Sequence, residues 1–249
     1  MDQGLKEFYL TLPSWTSNTF FPNNSADDYY VKLPKPIRLY GEWKVGMSRL
    51  NLQKMWYNVR EKGNYLNINV EGDLNPIQVN IPYGYYENIH ELVMELNEAL
   101  SKNLSNQDIF FGYDMRRKRM YVSFNTTENL SMVICKGLSQ LMGFTVDEVI
   151  VQSKYANNLP NMEMDNEYLL VNCDIVEEQT VGGLKTPMIG YLYTKGTDYG
   201  ESLPYTVDTQ YIGLRNKIFE VIHIWTSDLK GNRIDSLSTR TVVQLHFYR

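Results

Sequence analysis

Apolar side chains in this chain recur mostly at every second position, in short runs that stop at prolines and turn residues. Tyr29, Val31 and Leu33 alternate with Asp28, Tyr30 and Lys32, and then Pro34 and Pro36 arrive. Side chains of an extended strand point to its two faces in turn, so this pattern writes a strand with one buried face. Proline has no donor N–H and is expected to stop the ladder. Trp43, Val45 and Met47 form the next alternation, and Leu50 and Leu52 follow on the opposite phase. A switch of phase inside one run predicts a bulge, here near Ser48.

The same period continues along the chain. Leu66, Ile68 and Val70 form one run and Val79 and Ile81 another. Met120, Val122 and Phe124 read as a strand, with Leu130, Met132 and Ile134 as its neighbour across "NTTEN". Leu169, Val171, Cys173 and Ile175 share a face, and "IFEVIHIW" at 218–225 is apolar on both, as for a strand covered on both sides. Thr241, Val243, Leu245 and Phe247 close the chain. Trp43 and Trp225 both sit in phase with apolar neighbours and are expected in the core.

One strong helical stripe interrupts the strands: Ile89, Leu92, Val93, Leu96 and Leu100, with Asn88 as N-cap and Glu91 three residues on. A shorter helix is expected over Gly137–Met142, ending at Gly143. Ten or so short strands with helices only as insertions predict an all-β fold, a single jelly-roll β-sandwich with one or two inserted short helices. At 249 residues one large β domain is an ordinary size, and no change of composition marks a second. The reading is therefore one jelly-roll domain over 1–249. Within it, 1–20 is an N-terminal segment able to run extended, and 145–167 and 194–208 are long polar loops. The 19 tyrosines favour sheet as well, because aromatic rings fit a pleated, half-buried surface.

Reactive chemistry is hard to assemble from this sequence. His90, His223 and His246 are scattered, without the spacing of a metal site. His223 alternates with Phe219, Val221 and Trp225 and reads as structural. Cys135 and Cys173 fall on strands, where a free thiol behaves as a small hydrophobe. The glycines of "VGGLK" and "KGTDYG" lack phosphate-loop spacing. Asp147/Glu148 and Glu177/Glu178 are adjacent pairs whose carboxylates would leave a strand on opposite faces. The expectation is a protein that is not an enzyme, with no catalytic residue, metal or cofactor.

A net charge of −5 gives no global attraction to nucleic acid. Arg116, Arg117, Lys118 and Arg119 form the one dense cationic run and remain the weak candidate for phosphate contact. A single basic turn makes few such contacts, so a solvated hairpin turn is the favoured reading. No run reaches the roughly 18 apolar residues of a membrane span, and the first ten residues lack the pattern of a secretory signal.

The prolines and aromatics of the first fifth make sense together. Leu12–Ser14 ("LPS"), Phe21–Asn23 ("FPN"), Leu33–Gly46 ("LPKPIRLYGEWKVG") and Trp56–Val59 ("WYNV") resemble, in order, the minor capsid (penton) proteins of Polinton/Maverick elements, virus-like transposons related to virophages and adintoviruses. The resemblance continues through the helix after "YGYYENI", the Leu138–Phe144 end, "CDIVEEQTVGG" at 173–183 and the C-terminal "FEVIHIWTSDLKGNRID…VVQLHFYR". It implies a single jelly roll that forms homopentamers at the fivefold vertices of an icosahedral virion, among trimers of a double-jelly-roll major capsid protein. The alternative is a jelly-roll carbohydrate-binding or receptor-binding module, the latter a fibre-like trimer.

Overall fold

The computed structural model of the chain describes residues 6–72, 75–104, 109–125, 129–203, 209–234 and 236–249. The chain opens with three strands, β1 (Glu7–Pro13), β2 (Asp28–Arg38) and β3 (Lys44–Asn51). A segment of different character follows: β4 (Tyr65–Val70), β5 (Ile77–Asn80), helix α1 (Ile89–Asn103), β6 (Ile109–Asp114), β7 (Arg119–Phe124), β8 (Leu130–Ile134) and helix α2 (Lys136–Met142). It ends in the two-residue strands β9 (Val149–Ile150) and β10 (Lys154–Tyr155). Beyond a 3-10 turn at Met164–Glu167 come β11 (Tyr168–Cys173), the hairpin β12 (Gln179–Val181) and β13 (Leu184–Thr186), and β14 (Met188–Tyr193). The last strands are β15 (Ile212–Gly213), β16 (Ile218–Ser227) and β17 (Val242–Tyr248).

Two sheets carry the architecture. One runs β1-β17-β3-β15 and the other β14-β11-β16-β2. Counting only these eight strands in chain order, the sheets read 1-8-3-6 and 5-4-7-2, the order produced when a long antiparallel ribbon is rolled into two Greek keys. The fold is therefore all-β, a jelly-roll sandwich. Its inner faces bury Leu12, Tyr29, Val31, Trp43, Val45 and Met47 from the first strands, with Leu169, Val171, Ile222, Ile224, Leu245 and Phe247 from the last.

The chain separates into two compact units, and the one domain expected over 1–249 resolves into these. The jelly roll is built from residues up to Trp56 and from Asp165 to Arg249, while Tyr57–Met164 forms the second unit. The second unit has its own core, centred on Leu66, Ile68, Leu92, Leu96, Phe111 and Met132. It contains sheets β5-β4-β8-β9 and β10-β7-β6 and both helices. Helix α1 starts where the capping pattern placed it: Asn88 accepts from the N–H groups of His90 and Glu91, and Glu91 accepts from the N–H of Glu87. Helix α2 ends at Gly143, whose φ of 83° is the left-handed cap conformation. No helix among the described residues is long and apolar enough to cross a membrane.

Several expectations change. β2 continues past Pro34 and Pro36 to Arg38, but its register against β16 slips between Lys32 and Ile37, so the prolines sit where pairing is broken. β7 and β8 are not neighbours: β7 pairs with β6 and β10, and β8 with β4 and β9. Alternation identifies a strand and not its partner; part of the "NTTEN" connection, 126–128, lies outside the described residues. The stretch 145–167 supplies β9, β10 and the 3-10 turn, and buries Ile150 and Ala156 in the second core. Of 194–208, residues 204–208 lie outside the described residues; the remainder is tied to Lys54 by backbone hydrogen bonds at Glu201 and Gly200. The bulge near Ser48 is present, with β17 pairing Gln244 to Arg49 and Leu245 to Met47, which leaves Ser48 unmatched.

Candidate functional site

Two histidine-centred aromatic clusters cover the outer faces of the jelly roll. The first lies on β16 and β2. The slip between Phe219 and Val221 changes the phase of β16, so Phe219, Ile222 and Ile224 face the core while Val221, His223 and Trp225 face outward. Trp225 is half-buried on this outer face, which corrects the expectation that it anchors the core. Its ring stacks on His223 at 4.5 Å, and His223 stacks on Tyr30, its cross-strand partner, at 4.0 Å.

Polar groups fix the imidazole. Its Nε2 lies 2.6 Å from Asp28 Oδ1, and since a carboxylate only accepts, the nitrogen donates. Asp28 is also paired with Arg233, and the His223 backbone N–H donates to Asp174 Oδ1 at 2.9 Å. Burial pushes the His223 pKa below the usual imidazole value, opposed by the Asp174 carboxylate. Burial pushes the Asp174 carboxyl up, opposed by the His223 N–H and by the charges of His223 and Arg215.

The two shifts oppose each other in acid. A histidine with a lowered folded pKa contributes stability above about pH 6.5 that is lost as the pH falls through the folded value. A carboxyl with a raised folded pKa contributes stability that is complete below about pH 3.9 and lost as the pH rises through its folded value. Titrating the native protein by NMR should place the His223 midpoint below about 6.5, and His223→Phe should remove the part of the acid destabilisation between pH 7 and that midpoint. A His223 midpoint at or above the model-peptide value would reject the burial argument.

Beside this cluster lies a cavity of about 290 Å³ lined by Phe20, Phe21, Pro22, Asn24, Asp28 and Tyr30. Its rings are partly engaged and partly open, Phe20 staying 60% and Tyr30 39% exposed. Tyr30 stacks on His223, and the Lys32 ammonium sits 4.4 Å from the Phe20 centroid.

The second cluster lies on β1 and β17. His246 stacks under Tyr9 at 4.3 Å, with Nδ1 2.6 Å from the Tyr211 hydroxyl and Nε2 3.2 Å from Glu7 Oε2. Gly46 makes this possible. A Cβ there would lie 2.4 Å from Thr209 Cγ2 and 2.6 Å from the Gln210 carbonyl oxygen, so only glycine lets this segment cross β3 and deliver Tyr211. Sequence reading passed over Gly46, Tyr9 and Tyr211, because nothing local shows which backbone crosses which strand.

The basic run falls where a solvated turn belongs. Residues 115–118 connect β6 to β7 and Arg116, Arg117, Lys118 and Arg119 are exposed. Asp114 Oδ1 accepts the N–H groups of Arg116 and Arg117, and Arg117 lies over the Tyr155 ring at 4.4 Å. These contacts hold the Asp114 carboxyl below its ordinary value. Replacing Arg116–Arg119 with serine should change stability by no more than about 0.5 kcal/mol in thermal melts. A larger loss would show that contacts such as that of Arg117 on the Tyr155 ring count for more than ordinary surface contacts. Cys173 is fully buried and burial pushes its thiol pKa up, which suits packing and opposes nucleophilic chemistry.

No protein-family model matches the chain, and no curated protein matches its sequence. Among solved structures it is similar to the mavirus penton protein, with a TM-score of 0.52 over 97% of this chain and 98% of that one, at 9% identity. The flagellar cap protein FliD of Escherichia coli, at a TM-score of 0.22, 10% identity and coverage of 96% and 98%, is too dissimilar to carry an argument. At such identities the likeness concerns the fold alone.

Proposed function

We propose that the chain is a structural capsid protein, a penton that assembles as a homopentamer at the fivefold vertices of an icosahedral virion. The observation that carries this reading is the end-to-end likeness to the mavirus penton protein, together with a jelly-roll strand order read independently from the sheets. The residue patterns shared with Polinton/Maverick minor capsid proteins support the same assignment. Trimers of a double-jelly-roll major capsid protein would be its neighbours in the shell, and no enzymatic step is part of the role. The glycan-binding alternative would rest on the cavity at Phe20 and Tyr30, where each ring already has one contact, Tyr30 with His223 and Phe20 with Lys32.

A ring of five would have a mass of 5 × 29.1 kDa, or 145.5 kDa. Light scattering across rising protein concentration, with electron-microscope class averages of the same sample, should show this mass and fivefold rings. Threefold particles, or a monomer at the highest concentrations, would overturn the assignment.

A further inference from the structure

The exposed edges of the jelly roll are treated unequally. An edge strand presents unpaired N–H and C=O groups, and native proteins block them. On β2 the Asn24 side chain takes both backbone groups of Tyr30, accepting from its N–H and donating to its C=O at 2.9 Å each. Ser17 Oγ takes the N–H of Lys32, and Pro34 and Pro36 follow. β15 is only two residues long. In the second unit Asn97 blocks β6 in the same way, taking both backbone groups of Phe111.

β1 is left open. Ser14 and Arg249 donate across the two ends of its pairing with β17, to Thr241 and Lys6. By the alternation of an antiparallel ladder, Phe8, Leu10 and Leu12 face β17, while Glu7, Tyr9 and Thr11 turn their backbone groups outward. Among the described residues none of these outward groups has a partner. The strand is regular along its seven residues, carries no charge between Glu7 and Pro13, and exposes Tyr9 by 54%.

β14 is the other long edge, at the margin of the opposite sheet. Thr194 N–H donates to Glu167, so Leu192 and Gly190 face β11 and Tyr191 faces away. A register slip leaves Ile189 unmatched, which limits the usable edge to its C-terminal half.

From these edges we infer that β1 of one copy pairs antiparallel with β14 of the next, Tyr9 opposite Tyr191, joining the sheets of neighbouring subunits. The inference rests on the vertex reading. Three features fit the occupant to the edge. Both tyrosines lie on outer faces, so they meet on the same side of the joined sheet. This register sets Glu7 diagonal to the exposed Lys195 of the neighbour, within reach of long side chains. Pro13, which has no N–H, falls beyond the usable part of the β14 edge and closes the ladder at that end. Because β1 and β14 are different surfaces, the contact is heterologous, the kind that builds a ring when its rotation closes.

Cysteine trapping tests it. Directly opposed strand residues have Cα atoms about 5.5 Å apart, within the range a disulfide accepts. The chain carrying Tyr9→Cys and Tyr191→Cys, oxidised at high concentration, should give a ladder of covalent species ending at the pentamer and lost on reduction. Both native cysteines are buried and should not compete. Because Tyr9→Cys also removes a ring from His246, a second test leaves the tyrosines in place. Glu7→Lys should weaken assembly at low salt, and adding Lys195→Glu should restore it. Fivefold rings with neither cross-link nor charge rescue would overturn the strand pairing and leave the vertex reading standing. Cross-linked chains with no ceiling at five would keep the pairing and overturn the vertex reading, and monomers without cross-links would overturn both.

Discussion

Trp43→Ala should unfold the jelly roll or lower its stability by about 3–5 kcal/mol, while Trp225→Ala should cost about 1 kcal/mol. The two tryptophans look alike in sequence, each in an alternating run. In the fold, Trp43 is buried against Phe8, whose ring meets it edge-on at 5.6 Å, and its Nε1–H donates to the Tyr40 carbonyl at 3.0 Å. Truncation there removes a large apolar surface, opens a void between sheets and strips a carbonyl of its donor. Domains of ordinary stability hold about 5–15 kcal/mol in total, so the loss is a large share of it. Trp225 has solvent on one side and His223 on the other, and neighbouring side chains can close over the gap. Thermal melts of the two variants decide the matter. Equal melting temperatures would mean the inner and outer faces of β16 have been assigned the wrong way round.

The difference between those tryptophans marks how far the sequence could be read. The bulge at Ser48 was legible because polar and apolar residues alternate cleanly on either side, and a phase switch shows against such a background. The slip after Phe219 was hidden, because "IFEVIHIW" is apolar at almost every position and offers no marker of phase. Helix boundaries were legible for a related reason: Asn88 and Gly143 act on backbone groups within a few residues of themselves. Which strand pairs with which is set by contacts far apart in the chain. β7 finds β6, where Gly112 admits the Tyr121 ring against its backbone, and no periodicity in β7 reports that.

The candidate surfaces were legible as composition and not as sites. The abundance of tyrosine pointed to sheet, but the open edge at Tyr9 depends on what happens at the other edges. Asn24, Asn58 and Asn97 take both backbone groups of Tyr30, Tyr86 and Phe111, which lie 6, 28 and 14 residues away. In the sequence these are three asparagines among many. Their role appears only when the backbone each one holds is in place: Asn24 and Asn97 then block the edges of β2 and β6, Asn58 holds the segment before α1, and β1 stands out as an edge without such a residue.

Lys54 carries the second large expected effect. It lies in "NLQKMW", where it reads as one more outward polar residue, yet it is only 1% exposed. Its Nζ donates to the carbonyls of Thr197 at 2.9 Å and Thr194 at 3.5 Å, while its backbone pairs with Glu201 and Gly200. The stretch 194–203 has little apolar surface to bury beyond Leu203, so these hydrogen bonds hold it down. Methionine at position 54 keeps the length of the side chain and removes the donor: the Thr197 carbonyl loses it at about 1–3 kcal/mol, while the Thr194 carbonyl keeps the Thr197 N–H. Lys54→Met should therefore lose about 1–3 kcal/mol, either from the whole jelly roll or from local opening of this stretch. Chemical denaturation reads the first outcome, and the rate of tryptic cleavage after the exposed Lys195 reads the second. A variant with the parent's denaturation midpoint and the parent's resistance at Lys195 would show that the stretch is held by something other than Lys54.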